Sequence, residues 1–119
     1  MSSSSIVGEK SFDFAVRVVN LYRYLCADKK EYVLSKQLLR SGTSIGANIH
    51  EALKGQSKRD FLAKMNISLK EANETLYWLR LLVATDFLSE LEAVSITEDC
   101  TELVKLLTSI VKTTASNLR

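Results

Sequence analysis

The chain has 119 residues, and its 46% apolar and 25% charged content gives one ordinary domain a full core beneath a soluble surface. No proline and only 4 glycines exclude a loop-rich or disordered chain and favour long helices. The net charge of +2 is too small for a histone-like protein, but it is uneven: residues 29–64 hold eight cations against three carboxylates, and residues 65–119 hold five against eight.

Residues 1–10, opening on the serine run Ser2–Ser5, read as a flexible lead-in to a single domain over 11–119. The first helix is expected from about Ser11 to Ala27, where Phe14, Val18, Leu21, Tyr22 and Leu25 share one face at about 100° per residue. The charged cluster Asp28–Glu31 marks a turn. A second helix follows from about Tyr32 to Lys54, its inward face collecting Leu34, Leu38, Ser41, Ile45, Asn48, Ile49 and Ala52. Gly55 is expected to end it in the left-handed conformation, and Ser57 to cap the next helix with Asp60 three residues on. So short a link makes the second and third helices an antiparallel hairpin.

The third helix, about Lys58 to Thr85, carries the stripe Phe61, Met65, Leu69, Ala72, Leu76, Leu79 and Val83. The fourth starts between Ser89 and Ile96 and buries Ala93, Ile96, Cys100, Val104, Leu107, Val111, Ala115 and Leu118 behind an acidic front end. Nothing alternates with period two over a strand's length. The fold expected is all-α, an up-down-up-down antiparallel four-helix bundle.

Most chemistry is excluded by what is missing. Cys26 and Cys100 lie far apart with no CxxC spacing, which argues against a disulfide framework and fits a reducing cytoplasm. A lone His50 on the outward side of the second helix has no ligand partner at metal spacing. Glu71 and Glu74 suggest a di-iron bundle, but neither Glu-x-x-His motif of such a site occurs. There is no phosphate-binding glycine loop and no assembled nucleophile set, so neither an enzyme nor a cofactor is expected. No apolar run approaches the roughly 18–20 residues of a membrane span, and the expected location is the cytoplasm, with no membrane partner.

Three features remain. Ser41, Ser44 and Asn48 on the second helix and Ser68 and Thr75 on the third interrupt apolar stripes and are expected to satisfy one another across the two helices, with Glu71 at the margin accepting from Ser44 or Asn48. Gly42 and Gly46 would let a neighbouring helix approach closely. Ile67, Trp78, Leu81 and Leu82 point away from the core stripe of the third helix, as an oligomer interface would. Lys36, Arg40, Lys54, Lys58 and Arg59 form an outward basic surface suited to phosphates of structured RNA or duplex DNA. No aromatic residue interleaves with that surface, so base stacking is not expected. The competing reading is a structural or protein-interaction scaffold in which the basic region docks on the acidic start of the next subunit's fourth helix.

The stretch Gln37-Leu-Leu-Arg-Ser-Gly-Thr-Ser-Ile-Gly-Ala-Asn-Ile-His-Glu51, with Ser68-Leu-Lys-Glu71 in the third helix, resembles the four-helix-bundle proteins encoded in intervening sequences of bacterial 23S ribosomal RNA genes. The same family includes the accessory variability protein of diversity-generating retroelements. Arg40, Ser44, Ile45, Asn48, Ile49 and Glu51 match its helix-two pattern in register, while Gly46 stands where proline is frequent and Ala52 where glycine follows the glutamate. The resemblance implies a non-enzymatic bundle, commonly a ring-like homopentamer with a basic surface. It also implies nucleic acid, a reverse transcriptase or another nucleoprotein as candidate partners.

Overall fold

A computed structural model describes residues 3–118, with side chains from Ser5 onward. Four helices, α1 (Ser3–Ala27), α2 (Leu34–Leu53), α3 (Lys58–Ala84) and α4 (Glu90–Asn117), run in sequence with no strand among the described residues. Each packs on its chain neighbours and α4 closes back on α1, so the helices form an antiparallel four-cornered bundle about 48 Å long.

The core follows the expected stripes. Phe14, Val18 and Leu25 of α1, Leu38, Ile45 and Ile49 of α2, Met65, Ala72 and Leu79 of α3, and Ile96, Cys100 and Leu107 of α4 are all buried. The main departure is at the start. Residues 3–10, read as a lead-in, belong to α1, and Val7 is fully buried. Met1 and Ser2 lie outside the described residues. The close approach expected at the α2 glycines is real: a Cβ on Gly42 would stand 2.7 Å from a Val18 methyl, and one on Gly46 would stand 3.3 Å from the Ser11 carbonyl oxygen.

Three turns join the helices by different devices. α1 closes with Lys30 left-handed (φ 56°), its carbonyl at Leu25 accepting from the Glu31 N–H at 3.0 Å. Glu31 is itself buried, and its carboxylate accepts from the backbone N–H groups of Val33, Leu34 and Ser35, which satisfies the open amides at the start of α2. The α2–α3 turn departs from expectation, because Gly55 is not left-handed. A Cβ there would stand 2.6 Å from the movable Asp60 carboxylate and 3.0 Å from the Ala52 carbonyl, to which the Gly55 N–H donates at 3.0 Å. Ser57 does cap α3, its hydroxyl accepting from Asp60 N–H at 3.0 Å. The third turn places Asp86 left-handed (φ 68°), and Ser89 with Glu92 forms a reciprocal capping box at α4.

The α1–α4 seam is clasped from outside. Lys10–Glu102 at 2.6 Å, Arg17–Asp99 at 2.5 Å and Tyr24 Oη–Glu92 at 2.6 Å recur every seven residues of α1. Such exposed contacts contribute little each, about 0–1 kcal/mol, so α1 is anchored chiefly by its packing on α2.

Candidate nucleic-acid interface

All five residues of the expected basic surface are exposed, but they do not form one patch. Lys36 and Lys54 lie eighteen residues apart on α2, a distance of roughly 27 Å at 1.5 Å per residue. Arg40, between them, is not free. Its guanidinium bonds Glu71 at 3.2 Å and also bonds Glu74, so two carboxylates more than cancel its charge. Glu74 also accepts from the Trp78 indole N–H at 2.9 Å, which makes Arg40 part of an α2–α3 fastening. Lys64 and Glu51 add a second cross-link at 3.4 Å.

Lys54, Lys58 and Arg59 do come together. They flank the α2–α3 turn within six residues, are exposed, and take part in no ion pair among the described residues. Lys36 belongs to the other end of α2, where Lys29 and Lys30 precede it across the α1–α2 turn. Cationic clusters therefore stand at opposite ends of α2.

The polar network differs from the expectation at Ser44, Asn48 and Glu71, while Ser41, Ser68 and Thr75 do link the two helices. Ser44 donates to the Arg40 carbonyl at 2.6 Å and Asn48 to the Ser44 carbonyl at 2.8 Å, both within α2. Glu71 takes Arg40 instead of either of them. The links between helices come from α3: Ser68 donates to the Ile45 carbonyl at 2.8 Å and Thr75 to the Ser41 hydroxyl at 2.9 Å. Ser41 and Thr75 are the pair that fixes helix register, and both are fully buried.

Of the four residues expected at a subunit interface, Leu82 is misplaced. It is fully buried in the bundle, because α3 is covered by both α2 and α4 and its inward face is wider than one stripe. Ile67 is 43% exposed, and Leu81 and Trp78 are half-buried, the indole lying edge-on to Tyr77 with centroids 5.0 Å apart. Further apolar surface lies at Phe12 and Val16 of α1, which sequence periodicity left unassigned. Phe12, His50 and Leu53 border an open groove of about 720 Å³ between α1 and α2, and a larger one of about 1040 Å³ runs between α3 and α4.

Electrostatic perturbation is confined to structural contacts. The Tyr24 hydroxyl and the Ser89 N–H hold the Glu92 carboxyl below its ordinary value, while the same contact raises Tyr24. Burial pushes the Cys100 thiol up to about 12. Among the described residues no three His, Cys, Asp or Glu side chains are grouped to hold a metal ion, and no helix is long and apolar enough to cross a membrane.

Comparison with known proteins places these features in context. The family model of the 23S rRNA-intervening sequence protein matches residues 3–109. A crystal structure from Bacteroides thetaiotaomicron VPI-5482, described as a protein with unknown function from the S23 ribosomal protein family, is 56% identical to this chain. The two superpose with a TM-score of 0.91 over 93% of this chain and 99% of the other. No curated protein matches.

Proposed function

The chain belongs to the 23S rRNA-intervening sequence protein family, and from that premise we propose that it is a non-catalytic, self-assembling bundle that binds the phosphate backbone of structured nucleic acid, RNA foremost. The observation that carries this reading is the trio Lys54, Lys58 and Arg59, exposed and unpaired at one end of the bundle. A phosphate neutralised by a free cation releases its condensed counterions, whereas a cation already held by carboxylates gains little. Arg40 accordingly drops out of the contact set and Lys36 acts apart from it.

Three cations on one subunit bind weakly; a homo-oligomer repeats them on a single particle, and the linked sites then reinforce one another. Ile67, Leu81 and the exposed edge of Trp78 are the surface assigned to self-association, and the family resemblance favours a pentamer as the assembly. An association of nucleic acid with a partner such as a reverse transcriptase would use the same cationic end.

The test is a salt titration of a structured RNA hairpin and a matched DNA duplex against the protein and its Lys54→Glu/Lys58→Glu/Arg59→Glu variant, with particle mass followed by light scattering. The native protein should lose affinity linearly in log salt. The variant should bind more weakly with a shallower slope, by about 0.7–0.9 for each phosphate contact removed, at unchanged mass. Equal affinity and slope in the two proteins overturns the assignment. An intact oligomer that binds neither probe at low salt leaves the scaffold reading in its place.

A further inference from the structure

The end of the bundle opposite Lys54, Lys58 and Arg59 carries an arrangement of which the basic surface read from sequence included Lys36 alone, with an exposed aromatic where that reading expected none. Tyr32 lies outside the helices in the α1–α2 turn and is 53% exposed. Among the described residues it makes no hydrogen bond, ring contact or ion pair. Lys29 and Lys30 precede it, and Lys36 follows on the first turn of α2, so three cations fall within four residues of one free aromatic face. Lys30 and Lys36 are exposed and unpaired, while Lys29 reaches over the Tyr24 ring, 5.7 Å from its centroid.

Two details separate this turn from an ordinary charged loop. First, of the two carboxylates within four residues of Tyr32, Asp28 is exposed but the adjoining Glu31 is withdrawn: it is 5% exposed and its oxygens are spent on the N–H groups of Val33, Leu34 and Ser35. Second, the backbone is fixed on both sides of Tyr32. Lys30 is held left-handed, Glu31 N–H is bonded to Leu25 O, and the Ser35 hydroxyl donates to Glu31 O at 2.8 Å. A left-handed lysine costs about 1–2 kcal/mol relative to glycine, and such strain persists only where the surroundings enforce it. The tyrosine is thus presented by a braced turn, so ordering it on binding costs little.

We infer that Tyr32 is a stacking platform for an unpaired nucleobase, with Lys30 and Lys36 taking the flanking phosphates. The inference rests on the nucleic-acid reading above and assigns it a second, single-strand-selective contact. An aromatic face beside unpaired cations is the combination that single-stranded nucleic acid requires, since every base has a π-face and every nucleotide a phosphate. Neither of the other exposed aromatics has two unpaired cations within four residues: Arg80 alone flanks Tyr77, and Lys10 near Phe12 is paired with Glu102. Tyr77 is already engaged edge-on by Trp78, and Phe12 borders the α1–α2 groove next to Glu9. Val33, 74% exposed, adds apolar surface at the same turn.

The experiment uses a mixed-sequence oligoribonucleotide carrying one 2-aminopurine, single-stranded or annealed to its complement. The proteins are the native chain, Tyr32→Ala, Tyr32→Phe, Tyr77→Ala and the Lys54→Glu/Lys58→Glu/Arg59→Glu variant. Stacking on Tyr32 predicts fluorescence quenching by the native protein and by Tyr32→Phe. Tyr32→Ala should lose the quenching and bind the single strand about 5- to 150-fold more weakly, with duplex binding retained. Tyr77→Ala should behave as native. Single-strand binding unchanged in Tyr32→Ala, or lost equally in Tyr32→Phe, overturns the stacking site. Native protein that binds duplex but not single strand also overturns it while leaving the phosphate reading intact. Binding of neither probe overturns both. Tyr32 supports no core contact, so each variant is expected to fold, and circular dichroism confirms it.

Discussion

Adding one methyl group at Gly42 tests the close contact between α1 and α2. Helix propensity alone predicts that Gly42→Ala stabilises α2 by about 1 kcal/mol. Packing predicts the reverse. The new Cβ would lie 2.7 and 2.8 Å from the two methyls of Val18 and 3.2 Å from its Cβ. Val18 is fully buried, and rotating a β-branched side chain only exchanges one methyl for the other, so relief requires α1 to move off α2. Overpacking of this kind costs roughly 1–3 kcal/mol, and with both methyls and Cβ obstructing, a value near the top of that range applies. The net expectation is a loss of about 2 kcal/mol, seen as a lower urea midpoint at unchanged m-value. Val18→Ala alone leaves a cavity and should also destabilise, but in the double variant the Gly42→Ala methyl occupies part of it. The double variant should therefore lose at least about 1 kcal/mol less than the two single losses combined. A stabilising Gly42→Ala, or strict additivity, would refute the close α1–α2 crossing.

The caps and the cysteines give three further expectations. Glu31→Ala should lower stability by about 2 kcal/mol and Glu31→Gln by less, since a buried charged acceptor serves several amides; hydrogen exchange at Val33–Ser35 should accelerate first. Glu92 has its folded value below the ordinary 4.5, so its contribution is complete above that pH and is lost as pH falls through the depressed value. Glu92→Ala should accordingly flatten the acid limb of the stability curve, measured by thermal melts from pH 6 to pH 3. Cys100, with its thiol near 12 against an ordinary 9.0, keeps its proton in the fold where the unfolded chain would release it. Stability from this residue is thus whole below pH 9 and falls as pH rises from 9 to 12. In the native protein half-buried Cys26 should take up a thiol reagent at pH 8, with Cys100 labelled only after unfolding.

What could be read from the chain was what depends on neighbours in sequence. The apolar stripes of α2 and α3 and the Ser57 cap placed both helices to within two residues, because periodicity and capping act over one or two turns. The start of α1 was missed for the same reason in reverse: a serine run has the composition of a linker, and only Val7, seven residues before Phe14 on the same face, signals that the helix continues. The left-handed positions were also misplaced. Gly55 was the natural choice, yet its turn closes by the Gly55 N–H on Ala52 O without that conformation, which falls at Lys30 and Asp86. Leu82 looked outward because a single stripe was drawn on α3, a helix covered on two sides.

Charge was the least legible property, and the reason bears on function. A count along residues 29–64 gives a strong positive excess, but its partners are distant in sequence: Arg40 meets Glu71 and Glu74 thirty-one and thirty-four residues on. Glu31 is a carboxylate in the count and a buried cap in the fold, so it contributes to helix initiation instead of to the surface field. Subtracting these groups moves positive charge away from the middle of α2 and leaves it at the two ends. The family-pattern residues Arg40 and Glu71 then serve to hold α2 on α3, while the length of α2 itself sets the spacing of about 27 Å between its two ends. Shortening that spacing, by deleting seven residues from each of two paired helices, would disturb the core before it reported on binding. Exchanging Arg40 for Gln, which removes both the charge and the fork that joins Glu71 to Glu74, is the sharper perturbation. If Arg40 is a fastener, Arg40→Gln lowers stability and leaves the salt slope of RNA binding unchanged; a shallower slope at native stability would return Arg40 to the phosphate-binding set.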